Sequence, residues 1–438
     1  ERPGSALGIT GMPGPQLNHA VPLCREIKRA LPELPIIWGG YFPTQHSDVI
    51  LKSDYVDYTV IGQGELTLLD FLEALQNGAD FSGVNGLAWK KDGEIVVNPP
   101  RALTSPEDFP LLPYHRLAVE RYIQNNYVGS RTIDYNSSFG CPFACNFCAI
   151  VSMTNRRWLP ESGERMATAL KMLRDKYGVN AVQFHDMDFF IYEPRVADFC
   201  DRIKGLGMTW WALGRIDELS RFKESTWQLM KQSGLKMIFC GAETGSDEML
   251  KQMNKGGQAS TRLTLELAAK MKQYGIVPEY SFVLGNPPEP ERDLEITFNF
   301  IRKLKTINPA TELILYTYTP VPMDAGSGNL YEKAKAAGFK FPATLEEWVQ
   351  PPWDEFALRR RPKTPWLDTG VYAKVRNFER VTHAYYPTTT DTKLTGLRRT
   401  ALRSLGSWRY HLKFYDYPLE LRALQKLFAY QRPETTGF

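Results

Sequence analysis

Cys141-Pro142-Phe143-Ala144-Cys145-Asn146-Phe147-Cys148 is the stretch on which the reading of this 438-residue chain turns. Its three thiols are spaced C-x3-C-x2-C, close enough for one loop to present them to three corners of a single iron-sulfur cube. A 4Fe-4S cluster takes soft thiolate ligands and normally four of them. A run of three leaves one iron open, which suits a cluster that binds and reduces a small molecule rather than one that only relays electrons. Two plainer readings compete. A zinc knuckle would want two C-x2-4-C pairs or a Cys/His pair downstream, and neither follows. A disulfide staple is disfavoured, because thiols crowded into one short loop make poor bridges. The cluster reading is the strongest of the three.

The composition fits an ordinary globular protein of two or three domains, with 43% hydrophobic and 23% charged residues. No apolar run approaches the ~18 to 20 residues that a bilayer span needs. Six cysteines are too few for a secreted disulfide framework in a chain this long, so a reducing cytoplasm is the expected compartment. Cys24, Cys200 and Cys240 lie in apolar sequence and read as core residues. The net charge of +4 conceals an asymmetry. Residues 357–432 carry 16 Lys and Arg against 5 Asp and Glu, so the rest of the chain is net negative and the two parts have different jobs or partners. The chain begins at Glu1, in Gly/Pro-rich sequence directly before a strand, which suggests that upstream sequence is missing.

Residues 7 to 76 alternate short apolar strands (Leu7–Thr10, Pro35–Gly40, Asp54–Ile61) with amphipathic helices (Gln16–Ala30, Leu66–Leu75). That pattern predicts a parallel, doubly wound sheet. Ligands of such sheets bind beyond the carboxyl ends of the strands. Thr10-Gly11-Met12, Gly39-Gly40 and Gly62-Gln63-Gly64-Glu65 fall there, and they would serve equally as plain tight turns. A hairpin is expected over Val84–Val97 and a proline-rich linker over 99–130. From Thr132 the alternation resumes with six strands, at Thr132–Ser138, Ala181–His185, Thr209–Leu213, Leu235–Cys240, Pro278–Leu284 and Glu312–Tyr318, each followed by a helix except the last. Six such units in series predict a parallel sheet curled into an open barrel whose functional rim is the carboxyl end of the strands. The cysteine loop follows the first of them.

With Phe147 before its last thiol, the cysteine run resembles the signature of the radical S-adenosylmethionine (radical SAM) enzymes. The resemblance implies that Cys141, Cys145 and Cys148 ligate a 4Fe-4S cluster. It also implies that the open iron chelates SAM and that one-electron reduction releases a 5′-deoxyadenosyl radical. The front sheet resembles the later part of a cobalamin-binding domain, and Thr10, Met12, Gly39 and Gly40 fall where that domain lines the pocket for the cofactor's nucleotide tail. Its first two strands are absent here, and no histidine sits in an Asp-x-His-x-x-Gly context, so ligation of cobalt from below by histidine is unsupported.

Rim residues behind the cysteines complete the expected site. Asp186 and Asp188 end the second barrel strand, and carboxylates there would accept from the methionine ammonium of SAM; an N-cap and a solvated Asp are the bland alternative. Arg215, after the third strand, would clamp the SAM carboxylate, with a salt bridge to Asp217 or Glu218 as the alternative. In Gly241-Ala242-Glu243-Thr244-Gly245, Glu243 would hold ribose or methionyl groups. Leu284 and Gly285 begin a stretch, Val283 to Glu289, that resembles the one set against adenine.

The fold expected is thus α/β. A truncated doubly wound cobalamin-binding sheet (1–98) and the linker (99–130) precede a (βα)6 partial TIM barrel (131–340), which is followed by a basic, aromatic-rich, mainly helical region (341–438). That last region, with Arg359-Arg360-Arg361 and many Trp and Tyr, reads as a helical cap over the barrel or as a peripheral membrane surface, ahead of a nucleic-acid contact. The expected activity is methylation of an unactivated carbon on a small or lipid-like substrate, using the cluster, SAM and cobalamin. An external one-electron reductant of flavodoxin or ferredoxin type would supply the electron. A radical SAM oxidative cyclase is the alternative, and a metal-stabilised nucleic-acid-binding protein is the alternative from another class.

Overall fold

The computed structural model describes residues 5–255, 259–323, 329–359, 364–391 and 393–430. The chain forms two compact units, one from Glu1–Thr104, Cys148–Asn155 and Thr319–Pro365, the other from Ser105–Phe147, Arg156–Tyr318 and Trp366–Phe438.

In the first unit, runs of three or four mostly apolar residues make strands and the amphipathic stretches between them make helices. The order is β1 (Leu7–Thr10), α1 (Pro15–Ala30), β2 (Ile36–Gly39), α2 (Tyr41–Leu51), β3 (Tyr58–Val60) and α3 (Glu65–Asn77). The three strands pair in parallel in sequence order, with Leu7 opposite Ile36 and Ile37 opposite Tyr58. A hairpin of β4 (Leu87–Lys91) and β5 (Glu94–Val97) turns at Asp92-Gly93, both with positive φ, and extends the sheet antiparallel to β3. Its core seats Leu17, Val21 and Cys24 of α1 against Ile36 and Trp38.

The second unit opens with β6 (Thr132–Tyr135) and β7 (Ser138–Gly140), and after α4 (Ile150–Thr154), which belongs to the first unit, come β8 (Trp158–Pro160) and α5 (Gly163–Tyr177). It continues through β9 (Ala181–Phe184), α6 (Glu193–Ile203), β10 (Thr209–Gly214), α7 (Ile216–Leu219), α8 (Glu224–Gln232) and β11 (Leu235–Glu243). Then follow α9 (Asp247–Gln252), α10 (Thr261–Tyr274), β12 (Val277–Leu284), α11 (Pro290–Ile307) and β13 (Glu312–Thr317). Six of these strands form one parallel sheet in the order β13-β12-β11-β10-β9-β6, while β7 and β8 pair separately. Sequential parallel strands joined by helices are the partial barrel that the alternation predicts.

Helix ends follow local chemistry. Ser162 and Ser260 cap α5 and α10 by accepting from the third residue on, and Gly178 and Gly275 close them in the left-handed conformation. One face of the sheet packs under the helices around Phe184, Phe189, Phe199 and Trp210, all fully buried. Truncating any of these to Ala would cost about 3–5 kcal/mol.

Residues 341–438, expected as one block, are divided between the units. α12 (Leu330–Ala336), α13 (Leu345–Trp348) and α14 (Pro351–Ala357) belong to the first, where Leu345 and Trp348 complete its core. α15 (Thr369–Tyr385), α16 (Gly396–Leu412) and α17 (Leu419–Leu427) belong to the second. Amphipathic periodicity says that a helix has a core to join but not which core. The cap expected over the barrel mouth is corrected as well. Phe378 of α15 stacks on Phe298 of α11 at 3.8 Å, and Thr388 and Thr389 bind Glu312 at the amino end of β13. α15 therefore packs on α11, and the segment after it reaches the amino end of the sheet. Trp366, just before α15, does reach the rim, where its Nε1 donates to Gly285 O at 2.9 Å. Of the basic triplet, Arg360 and Arg361 lie outside the described residues.

Candidate functional site

The chain leaves β6, turns through Ser137 into β7, and enters the cysteine run at once, so the thiols stand at the carboxyl end of the first barrel strand. Cys145 is buried, Cys141 and Cys148 are partly exposed, and none of the chain's six cysteines is joined in a disulfide. A second loop, following α9, holds the run in place. Asn146 N donates to Met253 O (3.0 Å), Asn146 Nδ2 to Gln252 O (2.5 Å), and Asn254 Nδ2 to Ala144 O (2.8 Å). Among the described residues no three His, Cys, Asp or Glu side chains converge as they would on a single ion. Thiols that grip separate corners of a cluster need no such convergence.

Charge is concentrated behind the thiols. Arg215, on the turn between β10 and α7, is buried, with Nη1 3.4 Å from Cys145 Sγ and its guanidinium 3.8 Å above the Phe143 ring. Its fork, read from sequence as a clamp for a carboxylate, is closed on Asp217 instead, Nε to Oδ1 at 3.1 Å and Nη2 to Oδ2 at 2.9 Å. The salt-bridge alternative is thus the one observed, but buried rather than at the surface. What Arg215 presents toward Cys145 is positive charge, the complement of a thiolate ligand.

Glu243 ends β11 through a register shift after Gly241 and a left-handed φ of 64°, an uncommon conformation for a side-chain-bearing residue that costs of order 1–3 kcal/mol. That geometry sets it in a buried ion pair with Lys255. Burial alone would lower the Lys255 pKa, but Glu243 and Cys145 outweigh it and hold the ammonium above its ordinary value. Any Cβ at Gly241 would collide with both partners. Lys255 also stands 5.8 Å from the Phe147 ring, and its carbonyl accepts from Arg215. Cys145, Phe147, Arg215, Asp217, Glu243 and Lys255 therefore form one group.

Lys255 and the loop Gln252–Lys255 were not legible as site residues. The only signal was a turn-like Asn254-Lys255-Gly256-Gly257, far along the chain from the cysteines.

The two aspartates part company. Asp186 is wholly buried and accepts from Ser137 N (3.1 Å), Ser137 Oγ (2.9 Å) and Ser138 Oγ, so its oxygens are occupied in tying the end of β9 to the turn between β6 and β7. Asp188 accepts from Phe190 N at Oδ1 (3.1 Å), an Asx turn rather than a helix cap, and its buried Oδ2 has no partner among the described residues. Burial lifts its carboxyl to about 7, against the pull of the Phe190 N–H and Arg215. Leu284 is buried in the core beneath the helices, so its side chain does not face the rim. Gly285 has φ 73°, and a Cβ would press on Leu367.

In the first unit, Thr10, Met12, Gly39 and Gly40 meet at the carboxyl ends of β1 and β2. Thr10 and Gly40 are exposed, Gly39 is half-buried and Met12 is 47% exposed. Gly40 has φ 97°, and a Cβ on it would stand 2.7 Å from Thr10 Oγ1, so only glycine fits beside Thr10 there. Its carbonyl accepts from Thr44 Oγ1, which in turn accepts from Gly62 N (3.0 Å), joining the ends of β2 and β3. His46 of α2 is packed among the rings of Phe42, Phe341 and Trp348, and burial pushes it down to about 4. It is a core residue.

Residues 135–301 match the Radical SAM superfamily, so the barrel is a radical SAM domain. The chain is 29% identical over 273 residues to an uncharacterized methyltransferase of Pyrococcus horikoshii, covering 61% of this chain and 58% of that protein. It is 25% identical over 382 residues to an anaerobic magnesium-protoporphyrin IX monomethyl ester cyclase of Synechocystis, covering 82% and 73%. Its fold matches a solved structure of the radical S-adenosylmethionine methyltransferase TsrM of Kitasatospora setae, determined with cobalamin and a [4Fe-4S] cluster bound. That match has a TM-score of 0.66 at 16% identity and covers 98% of this chain and 88% of that one.

Proposed function

We propose that this chain, which carries a radical SAM domain, is a cobalamin-dependent radical SAM enzyme that methylates an unactivated carbon of a small or lipid-like substrate. The observation that carries this reading is the group at the barrel rim: three thiols on one clamped loop, backed by Arg215 and by the buried Lys255–Glu243 pair. When bound, the 4Fe-4S cluster and SAM would supply a 5′-deoxyadenosyl radical and cobalamin a transferable methyl group. Cys141, Cys145 and Cys148 would hold the cluster. Arg215 balances thiolate charge beside Cys145 while Asp217 fixes its orientation. The polar groups of SAM would fall to Glu243, to the unbonded Oδ2 of Asp188, and to backbone at Leu284 and Gly285, with Phe147 against the cluster. Thr10, Met12, Gly39 and Gly40 would receive the nucleotide tail of cobalamin, the backbone at Gly39-Gly40, free of side chains, being what would let it approach.

The electron would come from a flavodoxin- or ferredoxin-type partner in the cytoplasm. A peripheral membrane contact also belongs to the reading. Leu397, Leu405, Trp408 and Leu412 recur on one exposed face of α16, with Arg398 beside it. No helix among the described residues is long and apolar enough to cross a membrane.

An oxidative cyclase is the second reading, favoured by the cyclase relative that aligns with 82% of this chain. The two separate on incubating the reconstituted protein with cobalamin and SAM bearing a deuterated methyl group. Labelled methylcobalamin is expected of a methyltransferase. Cobalamin that stays unlabelled while SAM is cleaved would turn the assignment to the cyclase.

A further inference from the structure

Below the rim, the inner face of the barrel has a chemistry of its own. Along β12, Tyr280, Phe282 and Leu284 join the core beneath the helices, so period-two alternation sends Glu279, Ser281 and Val283 to the opposite face. The same alternation places Asp134 of β6, Gln183 of β9, Trp211 of β10 and Phe239 of β11 there. Register ties them together: Asp134 lies opposite Gln183, Gln183 opposite Trp211, and Phe239 opposite Glu279. Trp211 Nε1 donates to Glu279 Oε2 at 2.9 Å. His185, just past β9, sets Nε2 3.1 Å from Asp134 Oδ1 and its ring 5.3 Å from that of Trp211.

Three carboxyl groups share this face, and they differ in what they already hold. Glu312 is bound by Thr388, Thr389 and Thr390, and Asp134 by His185. Glu279 is only 9% exposed, and among the described residues the one hydrogen bond to its carboxyl group goes to Oε2, from Trp211. A carboxyl group so deeply set gains from any partner that reaches its second oxygen. Burial, opposed by the Trp211 N–H and reinforced by the neighbouring Glu312, raises the Glu279 carboxyl to about 7. An approaching cation would reverse that penalty, whereas an anion would add to it.

We propose that Glu279, held by Trp211 and paired in register with Phe239, is a binding subsite for the amine of an amine-bearing substrate whose apolar body lies against those two rings. The proposal rests on the reading of the barrel as the catalytic domain, but its test does not use turnover.

The full chain, anaerobically reconstituted with its cluster, is titrated calorimetrically with phenethylamine and with 3-phenylpropionate, which share a ring and differ in charge. The amine is expected to bind about tenfold or more tightly than the acid, and Glu279→Gln to remove most of that preference. Equal binding of the two probes, absence of amine binding, or an unchanged preference in a Glu279→Gln protein that melts like the parent would each overturn the proposal. The comparison of probes on the unaltered protein stands even if the variant does not fold. SAM cleavage measured on the same preparation keeps the two readings apart: amine binding without cleavage sinks the enzyme assignment alone, and cleavage without amine binding sinks this subsite alone.

Discussion

The barrel rim and the strand ends of the first unit are both expected cofactor sites at the carboxyl edge of a parallel sheet, and they are built in opposite ways. At the rim the charged residues are buried and already paired, Arg215 with Asp217 and Lys255 with Glu243. At the ends of β1 and β2 the surface is a largely exposed glycine turn, fixed by the positive φ of Gly40 beside Thr10. The difference teaches what each region can contribute. A rim of this kind fixes charge around a small, reactive, highly charged group, and its residues are needed for stability as well as chemistry. A turn of this kind lets a large ligand approach the backbone and leaves the fold indifferent to its occupant. Variants should therefore behave differently in the two places.

The largest effect is expected at the thiols. Cys141→Ala, Cys145→Ala or Cys148→Ala should each abolish SAM cleavage, read as loss of 5′-deoxyadenosine, while circular dichroism shows a folded chain. Retained cleavage in any of the three would break the assignment. Next comes the buried pair. Lys255→Met leaves Glu243 charged and unpartnered, which should cost about 3–5 kcal/mol in a urea titration, and adding Glu243→Gln should restore much of it. A cost of about 0.5 kcal/mol or less, as for an ordinary surface change, would erase the contrast drawn above. SAM affinity of Glu243→Gln has to be read together with that stability measurement, since the substitution also strands Lys255.

At the glycine turn, binding should fall without a loss of stability. Thr10→Tyr should crowd Gly40 and lower cobalamin occupancy while stability stays within about 0.5 kcal/mol and iron content is unchanged. Bulk at Gly40 itself is the poorer probe, because its φ of 97° and the nearby Thr10 would strain the fold. The last effect is a pH slope. The folded chain keeps a proton on Glu279 up to about 7, whereas the unfolded chain releases it near the ordinary 4.5. Between those values stability falls as pH rises, by up to ~1.4 kcal/mol per pH unit for this group. The stability of Glu279→Gln should accordingly decline less steeply than the parent's from pH 5 to 7, and parallel curves would show that the carboxyl is not held neutral.

How far the sequence carried varies with the range of the interaction. The cysteine run, the six barrel strands and the Gly39-Gly40 turn are local patterns, and each stands where local chemistry put it. The Lys255–Glu243 pair depends on a bulge and a left-handed residue that no spacing rule announces. Arg215 looked equally fit for a ligand carboxylate or for Asp217, and only the buried geometry selected Asp217. Asp186 and Asp188 read as twins, yet Ser137 and Ser138 occupy one and leave an oxygen of the other unbonded. Residues 345–348 and 369–385 look alike as amphipathic helices, and which core each joins is decided by packing partners far away in sequence.

The most direct test of the central claim is anaerobic reconstitution of the unaltered chain with iron and sulfide, followed by reduction in the presence of SAM. The account predicts a brown protein with ~4 Fe per chain that converts SAM to 5′-deoxyadenosine. A colourless protein that holds zinc at Cys141, Cys145 and Cys148 and leaves SAM intact would contradict it.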